Sequence, residues 1–248
     1  MSSNRKRTKK KRTRCALLVS GTAVFILLCC GLVAYFWQKN QEAEKAARQK
    51  NLPKLSIETK LLDVNPYSRP GIALKKVKGV VVHYTANPGT NALDNRNYFN
   101  SLSKANKGKT KAQSTYASSH FIVGLQGQIV QCVPLNEIAY ASNNRNADTI
   151  SIECCHPDQS GKFTEATYKS VVELVAYLCL KYDLSEGDVI RHYDVTGKNC
   201  PKYFVENPKE WTKFKSDVKN KMGLSCGQSH FAFLIDYSLN WIFWEEDS

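Results

Sequence analysis

The sequence predicts one mixed α/β domain over residues 61–223, with a central, mostly buried β-sheet flanked by helices and preceded by a single transmembrane helix. Three observations predict this arrangement. Short runs rich in β-branched residues alternate with helical stretches. One of these runs is apolar on both faces of the pleat, which is typical of a buried central strand. An uncharged stretch of 23 residues precedes them all.

Composition and charge narrow the class of protein. With 42% apolar and 10% aromatic residues the chain can bury a core, which excludes global disorder and a collagen-like fold. The formal net charge is +13, but eight of the basic side chains lie in residues 1–14, a segment without an acid, which leaves +5 for the remainder. Since most of the excess flanks an apolar segment, it does not require a nucleic-acid partner, and none is predicted.

Residues 15–37 are predicted to form the transmembrane helix. At about 1.5 Å per residue, CALLVSGTAVFILLCCGLVAYFW is long enough to cross a hydrocarbon core of roughly 30 Å. Its last three residues are aromatic, as in an interfacial belt, and the basic segment lies on its amino side. The positive-inside rule therefore predicts a single-pass protein of the cell membrane, with a cytoplasmic amino terminus and an extracellular domain. The alternative is a cleaved signal peptide, whose apolar region usually has about 7 to 15 residues and ends in small side chains.

Two further segments differ in character from the domain. Residues 38–60 are polar and contain Pro53 as a helix breaker, which predicts a stalk or linker. Residues 224–248 hold six aromatic side chains in 25 positions, and their apolar run is short for a second membrane span. A strand pair, a membrane-surface segment and an extension all remain open for this tail, so its role is not predicted.

Four segments of the domain carry strand patterns: VKGVVVHY (77–84), the hairpin HFIVGLQGQIVQCV (120–133), TISIEC (149–154) and DVIRHY (188–193). The hairpin is expected to turn at Gln126-Gly127. TISIEC alternates, which places Ile150 and Ile152 on one face and Glu153 on the other. Glu153 is therefore the last residue on the polar face of this predicted strand.

Two longer helices are predicted to cover this sheet. The first spans about 165–182, begins after Thr164 as its N-cap, and repeats apolar side chains at a spacing of three and four. The second opens at Asn207-Pro208. Its inward-facing residues are expected to be Trp211, Phe214, Val218 and Met222.

Three residues could hold a metal ion. His83 and His192 are each predicted to close a strand, and Cys200 follows eight residues after His192 in a loop flanked by Gly and Pro. Two imidazoles and a thiolate match a three-ligand zinc site that leaves the fourth tetrahedral position open. Spacing alone also fits two structural histidines and a small buried cysteine, and a ligand set that draws on Cys154 or Cys155 is a further alternative.

Two charged residues fit beside such a site. Lys198 lies two residues before Cys200, so in an extended loop both side chains would point the same way. Glu153, on the polar face of its strand, could accept a proton from water. Taken singly, each residue also fits a solvated surface position.

Four collinear motifs resemble those of a known family: VVVHYTANPG, ASSHFIVGLQGQIVQCVPLNEIAYAS, TISIECC and RHYDVTGKNCP. In the same order they look like the motifs of zinc-dependent N-acetylmuramoyl-L-alanine amidases, the type-2 amidase family that includes phage and Bacillus autolytic amidases and the peptidoglycan recognition proteins. The resemblance covers residues 75–222, roughly 60% of the chain.

The resemblance implies a role for each candidate residue. His83, His192 and Cys200 would be the zinc ligands, Glu153 the catalytic carboxylate, and Lys198 the cation that stabilises charge on the substrate carbonyl. One departure is visible. Several relatives have a catalytic Tyr immediately before the His of the HF motif, where this sequence has a serine. This favours the glutamate for proton transfer.

The resemblance also implies an activity, which is hydrolysis of the amide between N-acetylmuramic acid and L-alanine in peptidoglycan during cell-wall remodelling or lysis. A module that binds muropeptides without cutting them, tethered to the membrane, is the main alternative. A passive tether between membrane and wall is a weaker one. Because all three ligand positions are filled, hydrolysis is favoured.

Overall fold

The computed structural model of the protein describes residues 28–43, residue 46 and residues 52–226. The chain divides into two compact units, Met1–Lys50 and Asn51–Ser248. Each unit is described by itself.

In the second unit, the described strands form one six-stranded sheet in the order β1-β4-β3-β5-β2-β6. All neighbours are parallel except β3 and β4, which are antiparallel. The strands are β1 (Ile57–Thr59), β2 (Gly79–Tyr84), β3 (Phe121–Val123), β4 (Ile129–Gln131), β5 (Thr149–Cys154) and β6 (Val189–Arg191). The predicted mixed α/β domain with a central sheet is thereby confirmed.

The helices of this unit lie on both faces of the sheet. They are α1 (Ala92–Ala105), α2 (Glu165–Tyr182), α3 (His192–Thr196), α4 (Lys202–Glu206) and α5 (Pro208–Cys226). Apolar side chains of α2 and α5 form one core with Val80, Val82, Ile150 and Ile152. A second core lies under α1 on the opposite face. Val81, on the face of β2 opposite Val80 and Val82, is also fully buried, so the apolar residues on both faces of the β2 pattern are removed from solvent.

Helix α2 has the bounds that the sequence predicts. Thr164 is its N-cap, and the Thr164 hydroxyl accepts a hydrogen bond from the backbone N–H of Thr167. The predicted hairpin of β3 and β4 is also present. Its turn passes through Gly127 at a φ of 81°, where a side chain would approach the carbonyl oxygen of Ala166 in α2 to 2.8 Å. Glycine is required there both by the left-handed backbone and by the contact with the helix.

The prediction that His192 closes a strand is wrong. Strand β6 ends at Arg191, and His192 is the first residue of α3. The cause is Asp194, whose carboxylate accepts a hydrogen bond from the Arg191 backbone N–H at 2.8 Å and pairs with the Arg191 guanidinium at 2.7 Å. Because the Asp194 carboxylate accepts from the backbone N–H of the N-cap residue, a helix begins immediately after the strand.

The loop before Cys200 also differs from the prediction. It is not extended, because the Cys200 backbone N–H donates to the Lys198 carbonyl oxygen at 2.7 Å. Earlier in the chain, β1 begins at Ile57 and pairs with β4, so the sheet reaches into the segment predicted as a stalk up to residue 60.

In the first unit, residues 28–43 are helical and their side chains are exposed. No helix among the described residues is both long and apolar enough to cross a membrane. Most of the predicted transmembrane segment, residues 15–27, lies outside the described residues, as do the basic segment 1–14 and residues 227–248 of the tail.

We expect Phe214→Ala to lower the free energy of unfolding of the domain by about 3–5 kcal/mol, because it leaves a cavity in the larger core. Phe214 is fully buried, and its ring lies 5.3 Å from that of Trp211 and 5.2 Å from that of Phe204. Urea unfolding followed by tryptophan fluorescence measures the change. Lys209→Ala, an exposed position on the same helix, should change stability by less than about 0.5 kcal/mol. Equal effects of the two substitutions would contradict the packing described.

Candidate metal centre

The predicted site residues meet at the carboxyl ends of three adjacent parallel strands. In the order β5-β2-β6, residue His83 of β2 pairs directly with Glu153 of β5, and His192 follows β6 immediately. Ligands of open α/β sheets generally bind at this edge. Strand alternation directs Val82 into the core under α2 and α5, so its neighbour His83 projects from the other face.

Three potential metal donors converge there. One donor atom from each of His83, His192 and Cys200 lies within 4.8 Å of the other two, and all three residues are buried. The His83 Nδ1 atom is 3.8 Å from the Cys200 Sγ atom, and the two imidazole centroids are 4.7 Å apart. Spacing of this order is what one ion surrounded by three ligands requires.

The Nε2 atoms of both imidazoles contact one short segment, residues 142–143. The His83 Nε2 atom is 3.1 Å from the Ser142 hydroxyl, and the His192 Nε2 atom is 3.2 Å from the Asn143 amide oxygen. The amide oxygen of Asn146 accepts hydrogen bonds from the backbone N–H groups of Ala141 and Ser142, which holds this segment in place. Because an amide oxygen only accepts, His192 donates from Nε2, which leaves the lone pair on Nδ1.

Burial decides the protonation of the three donors. It lowers the pKa of His83 well below its usual value, helped by the charges of His192 and Lys198, and it also lowers the pKa of His192. Both imidazoles are therefore neutral near pH 7 and able to bind a cation. Burial raises the pKa of Cys200 to about 12, with a further contribution from Glu153. A bound metal cation would oppose this effect, because thiols release their proton to metals.

The Glu153 carboxylate lies beside the three donors. Its Oε1 atom is 4.0 Å from the His83 Nδ1 atom, and its side chain is 16% exposed. Its Oε2 atom is buried without a hydrogen-bond partner among the described residues. Burial raises the pKa of Glu153 to about 8, while the Lys198 ammonium lowers it. An unpaired buried carboxylate oxygen is costly, and such groups are concentrated at functional sites.

The side chain of Lys198 is exposed at the rim of the site. Its positive charge lowers the pKa of His83, His192, Glu153 and Cys200. No ion pair joins it to a carboxylate in the described part of the chain. A cation in this position would be available to a substrate.

These residues form part of the wall of an open cavity of about 480 Å³, a volume in the range of small-molecule sites. The lining comprises His83, Tyr84, Thr85, Ala86, Asn95, Tyr98, Phe99, Tyr116, Ala117, Ser118, Tyr140, Ala141, Asn143, Asn146, Glu153, His192, Lys198 and Cys200. The cavity therefore connects all five predicted site residues to solvent.

The donor set fits zinc. Two neutral imidazoles and one thiol are borderline to soft ligands, whereas Mg²⁺ and Ca²⁺ prefer oxygen. Three protein ligands next to an open cavity match a catalytic zinc site, since a structural site closes the fourth position with a protein side chain. Cys154 and Cys155, the alternative ligands, are buried free thiols outside the three-donor cluster found in the described region.

His120 does not line the cavity. The Ser151 backbone N–H donates to its Nδ1 atom at 3.0 Å, and its Nε2 atom lies 2.9 Å from the Glu137 carbonyl oxygen. Both ring nitrogens thus have protein partners, and burial lowers the pKa of His120 to about 4. These contacts give it a structural role.

Sequence patterns did not single out Ser142, Asn143 and Asn146. They lie in a run of polar residues without regular periodicity, and only the fold brings them next to the imidazoles. The φ angle of Asn143 is 52°, a left-handed conformation that asparagine tolerates better than most residues. A run rich in Asn between two strand patterns was the available signal, and it indicates only a turn.

Comparison with known proteins identifies the family. The family model of N-acetylmuramoyl-L-alanine amidases matches residues 73–203, more than half of the chain. The chain therefore belongs to the N-acetylmuramoyl-L-alanine amidase family.

Individual relatives agree with this assignment. The chain is 38% identical over 172 residues to the N-acetylmuramoyl-L-alanine amidase CwlL of Bacillus licheniformis, covering 64% of this chain and 46% of CwlL. It is 35% identical over 182 residues to the amidase BlyA of Bacillus subtilis, covering 65% and 46%. The chain thus spans about half the length of the curated relatives it matches. A solved mutant endolysin from Bacillus subtilis is 26% identical with a TM-score of 0.53, covering 66% of this chain and 99% of the endolysin.

Asn143→Ala should weaken zinc binding by about 10- to 100-fold, because His192 loses the group that orients its ring. Competition with a fluorescent chelator measures the dissociation constant of the full-length protein. Asn144→Ala changes the adjacent exposed asparagine of the short 3-10 helix Asn143–Ala147 and should leave zinc affinity unchanged. Unaltered affinity in the Asn143 variant, or an equal loss in both variants, would contradict this role.

Proposed function

We propose that the protein is a zinc-dependent N-acetylmuramoyl-L-alanine amidase that cleaves the amide between N-acetylmuramic acid and L-alanine in peptidoglycan. One observation carries this proposal: beside three convergent metal donors at an open cavity, the Glu153 carboxylate has a buried oxygen with no hydrogen-bond partner in the described part of the chain. A purely structural metal site would not need a buried acid without a partner. The names of the relatives support the same substrate.

His83, His192 and Cys200 would hold the zinc ion. When bound, zinc supplies a Lewis acid that polarises water and the amide carbonyl of the substrate. The neutral imidazoles bind without first losing a proton. The thiol loses its proton on binding, so zinc affinity rises with pH.

Glu153 is the proton carrier of the proposed reaction. Its Oε2 atom would accept a proton from the attacking water and then donate it to the leaving nitrogen. The carboxylate form is needed for the first step. Although burial raises the pKa of Glu153 to about 8, a cation in the adjacent site lowers the pKa of a carboxyl group by direct attraction. Lys198 has the same effect in the structure.

Lys198 would stabilise the transition state. Attack on the amide places negative charge on the carbonyl oxygen, and an exposed ammonium at the rim of the cavity can donate to that atom as the charge develops. One well-placed donor of this kind is commonly worth about 3 kcal/mol.

Glu153→Gln should lower turnover by at least about a hundredfold while zinc content and folding are kept, because the amide has similar size but cannot carry the proton. Mass spectrometry of the soluble products of purified peptidoglycan measures release of stem peptides with a free L-alanine amine. Glu165→Gln, an exposed position at the start of α2, is the matched control and should retain activity.

Near-normal turnover of the Glu153 variant would remove this residue from the mechanism. If the unaltered protein binds peptidoglycan but releases no stem peptide, the enzymatic proposal is wrong. The non-catalytic binding module would then be the correct interpretation.

We further propose that residues 15–37 anchor the protein in the cell membrane, with the amino terminus in the cytoplasm and the domain outside. The length, lack of charge and basic flank of this segment support the proposal. In its described part, apolar side chains that would face lipid are exposed: Leu28, Leu32, Val33, Tyr35, Phe36 and Trp37. The anchor would keep the active site close to the peptidoglycan layer.

Epitope tags at the two ends should differ in access on intact bacterial protoplasts. We expect antibody to reach the carboxyl-terminal tag directly and the amino-terminal tag only after lysis. Replacing five apolar residues within 15–37 by polar ones should release the protein from the membrane fraction. A carboxyl-terminal tag that is reached only after lysis would contradict this orientation.

A further inference from the structure

Two tyrosine rings are exposed on the wall of the cavity that contains the metal centre. Tyr98 of α1 is 52% exposed and Tyr116 is 39% exposed. Aromatic rings are stabilised by burial, so rings left open to solvent on the wall of a cavity indicate a surface that a ligand covers.

Tyr116 packs against two other rings. Its centroid lies 5.4 Å from that of Tyr67 and 5.8 Å from that of Tyr140, with interplanar angles of 49° and 87°. We call Tyr67, Tyr116 and Tyr140 the tyrosine platform. These ring distances are in the favourable range for aromatic pairs, so the orientation of the exposed ring is restrained.

The three segments that carry the platform are joined by backbone hydrogen bonds. The Ala117 N–H donates to the Tyr67 carbonyl oxygen at 3.1 Å, and the Ser118 N–H donates to the Tyr140 carbonyl oxygen at 3.0 Å. The Tyr140 N–H donates in return to the Ser118 hydroxyl at 2.9 Å. Tyr67 and Tyr140 are therefore each joined through the backbone to one of the two residues that follow Tyr116.

Two further pairs of side-chain hydrogen bonds stabilise the segments that carry the platform. The buried Asn106 amide donates to the Thr115 carbonyl oxygen at 2.8 Å and accepts from the Thr115 N–H at 3.0 Å. The Arg69 guanidinium makes two hydrogen bonds with the Glu137 carboxylate at 2.8 and 2.9 Å, joining the segment after Tyr67 to the segment before Tyr140. A ring fixed before the ligand arrives loses little conformational entropy on binding.

The chemistry around the platform selects the ligand. Apart from the metal centre with Glu153 and Lys198, the cavity is lined by neutral groups. In addition to tyrosines and small apolar residues, the neutral lining includes the amides of Asn95 and Asn146 and the hydroxyl of Ser118. An exposed aromatic face with neutral hydrogen-bonding groups suits a pyranose ring, which presents C–H groups on its faces and hydroxyls or acetamido groups at its edge. A charged peptide would need charged partners.

We propose that the tyrosine platform binds a sugar ring of the glycan strand next to the N-acetylmuramic acid whose amide is cut. This inference rests on the proposed amidase function and adds to it a glycan subsite. The exposed face of Tyr116 stacks on the sugar, and Tyr98, the other exposed ring of the lining, adds aromatic surface to the same cavity.

Kinetics with two soluble substrates that share the same scissile bond test the subsite. One is a single N-acetylmuramoyl-peptide, and the other is the same unit within a chain of four sugars. In the full-length protein, Tyr116→Ala should raise KM for the longer substrate about tenfold with little change in kcat, and leave KM for the shorter substrate unchanged. Tyr116→Phe, which keeps the ring, should restore KM.

Leu93→Ala is the control, since this side chain is 41% exposed on α1 and does not line the cavity. It should change neither constant. An equal rise in KM for both substrates after Tyr116→Ala, or failure of the Phe variant to restore it, would overturn the proposal. Thermal unfolding of each variant separates a loss of folding from a loss of binding.

Binding of a peptide-free oligosaccharide of N-acetylated sugars separates this proposal from the proposed function. Titration calorimetry needs no turnover, so it tests the subsite even in a protein that cuts nothing. We expect binding by the unaltered protein and a roughly tenfold weaker affinity in the Tyr116→Ala variant. Binding that is unaffected by the substitution, or binding of the free stem peptide alone, would overturn the glycan assignment without affecting the amidase assignment.

Discussion

The parallel pairing of β2 with β5 is the interaction on which the site depends. Six consecutive residue pairs fix the register, and they place His83 opposite Glu153. A shift of one residue would turn His83 toward the core under α2 and bring a valine to the cavity instead. This register is strongly specified, because Val80, Val82, Ile150 and Ile152 must all face the same apolar layer. Packing on one face of the sheet therefore determines chemistry on the other.

The same burial that stabilises the domain prepares the donors for a cation. Neutral imidazoles, a protonated thiol and a carboxyl group of raised pKa are the consequence of removing these groups from water. At this site the Glu153 Oε2 atom is buried without a hydrogen-bond partner among the described residues. Binding of zinc would supply the missing partner, so metal affinity and domain stability are expected to be coupled.

The sequence predicted those features that depend on local patterns. Strand TISIEC and the helix after Thr164 have the expected bounds, since alternation and capping are encoded within each segment. The start of α3 at His192 was missed, because it depends on the Asp194 side chain rather than on hydrophobic period. The contacts of Asn143 with His192 and of Tyr116 with Tyr67 join residues 49 positions apart, which no local pattern encodes. The spacing of His83, His192 and Cys200 suggests the ligand set, and the four motifs read together favour it over the alternatives.

X-ray absorption at the zinc edge of the full-length protein would show whether His83, His192 and Cys200 together bind one zinc ion. We expect one equivalent of zinc with two nitrogen ligands from histidine at about 2.0–2.1 Å and one sulfur ligand at about 2.3 Å. Cys200→Ser should remove the sulfur signal. A zinc shell without sulfur in the unaltered protein, or an unchanged spectrum in the variant, would show that Cys200 is not a ligand.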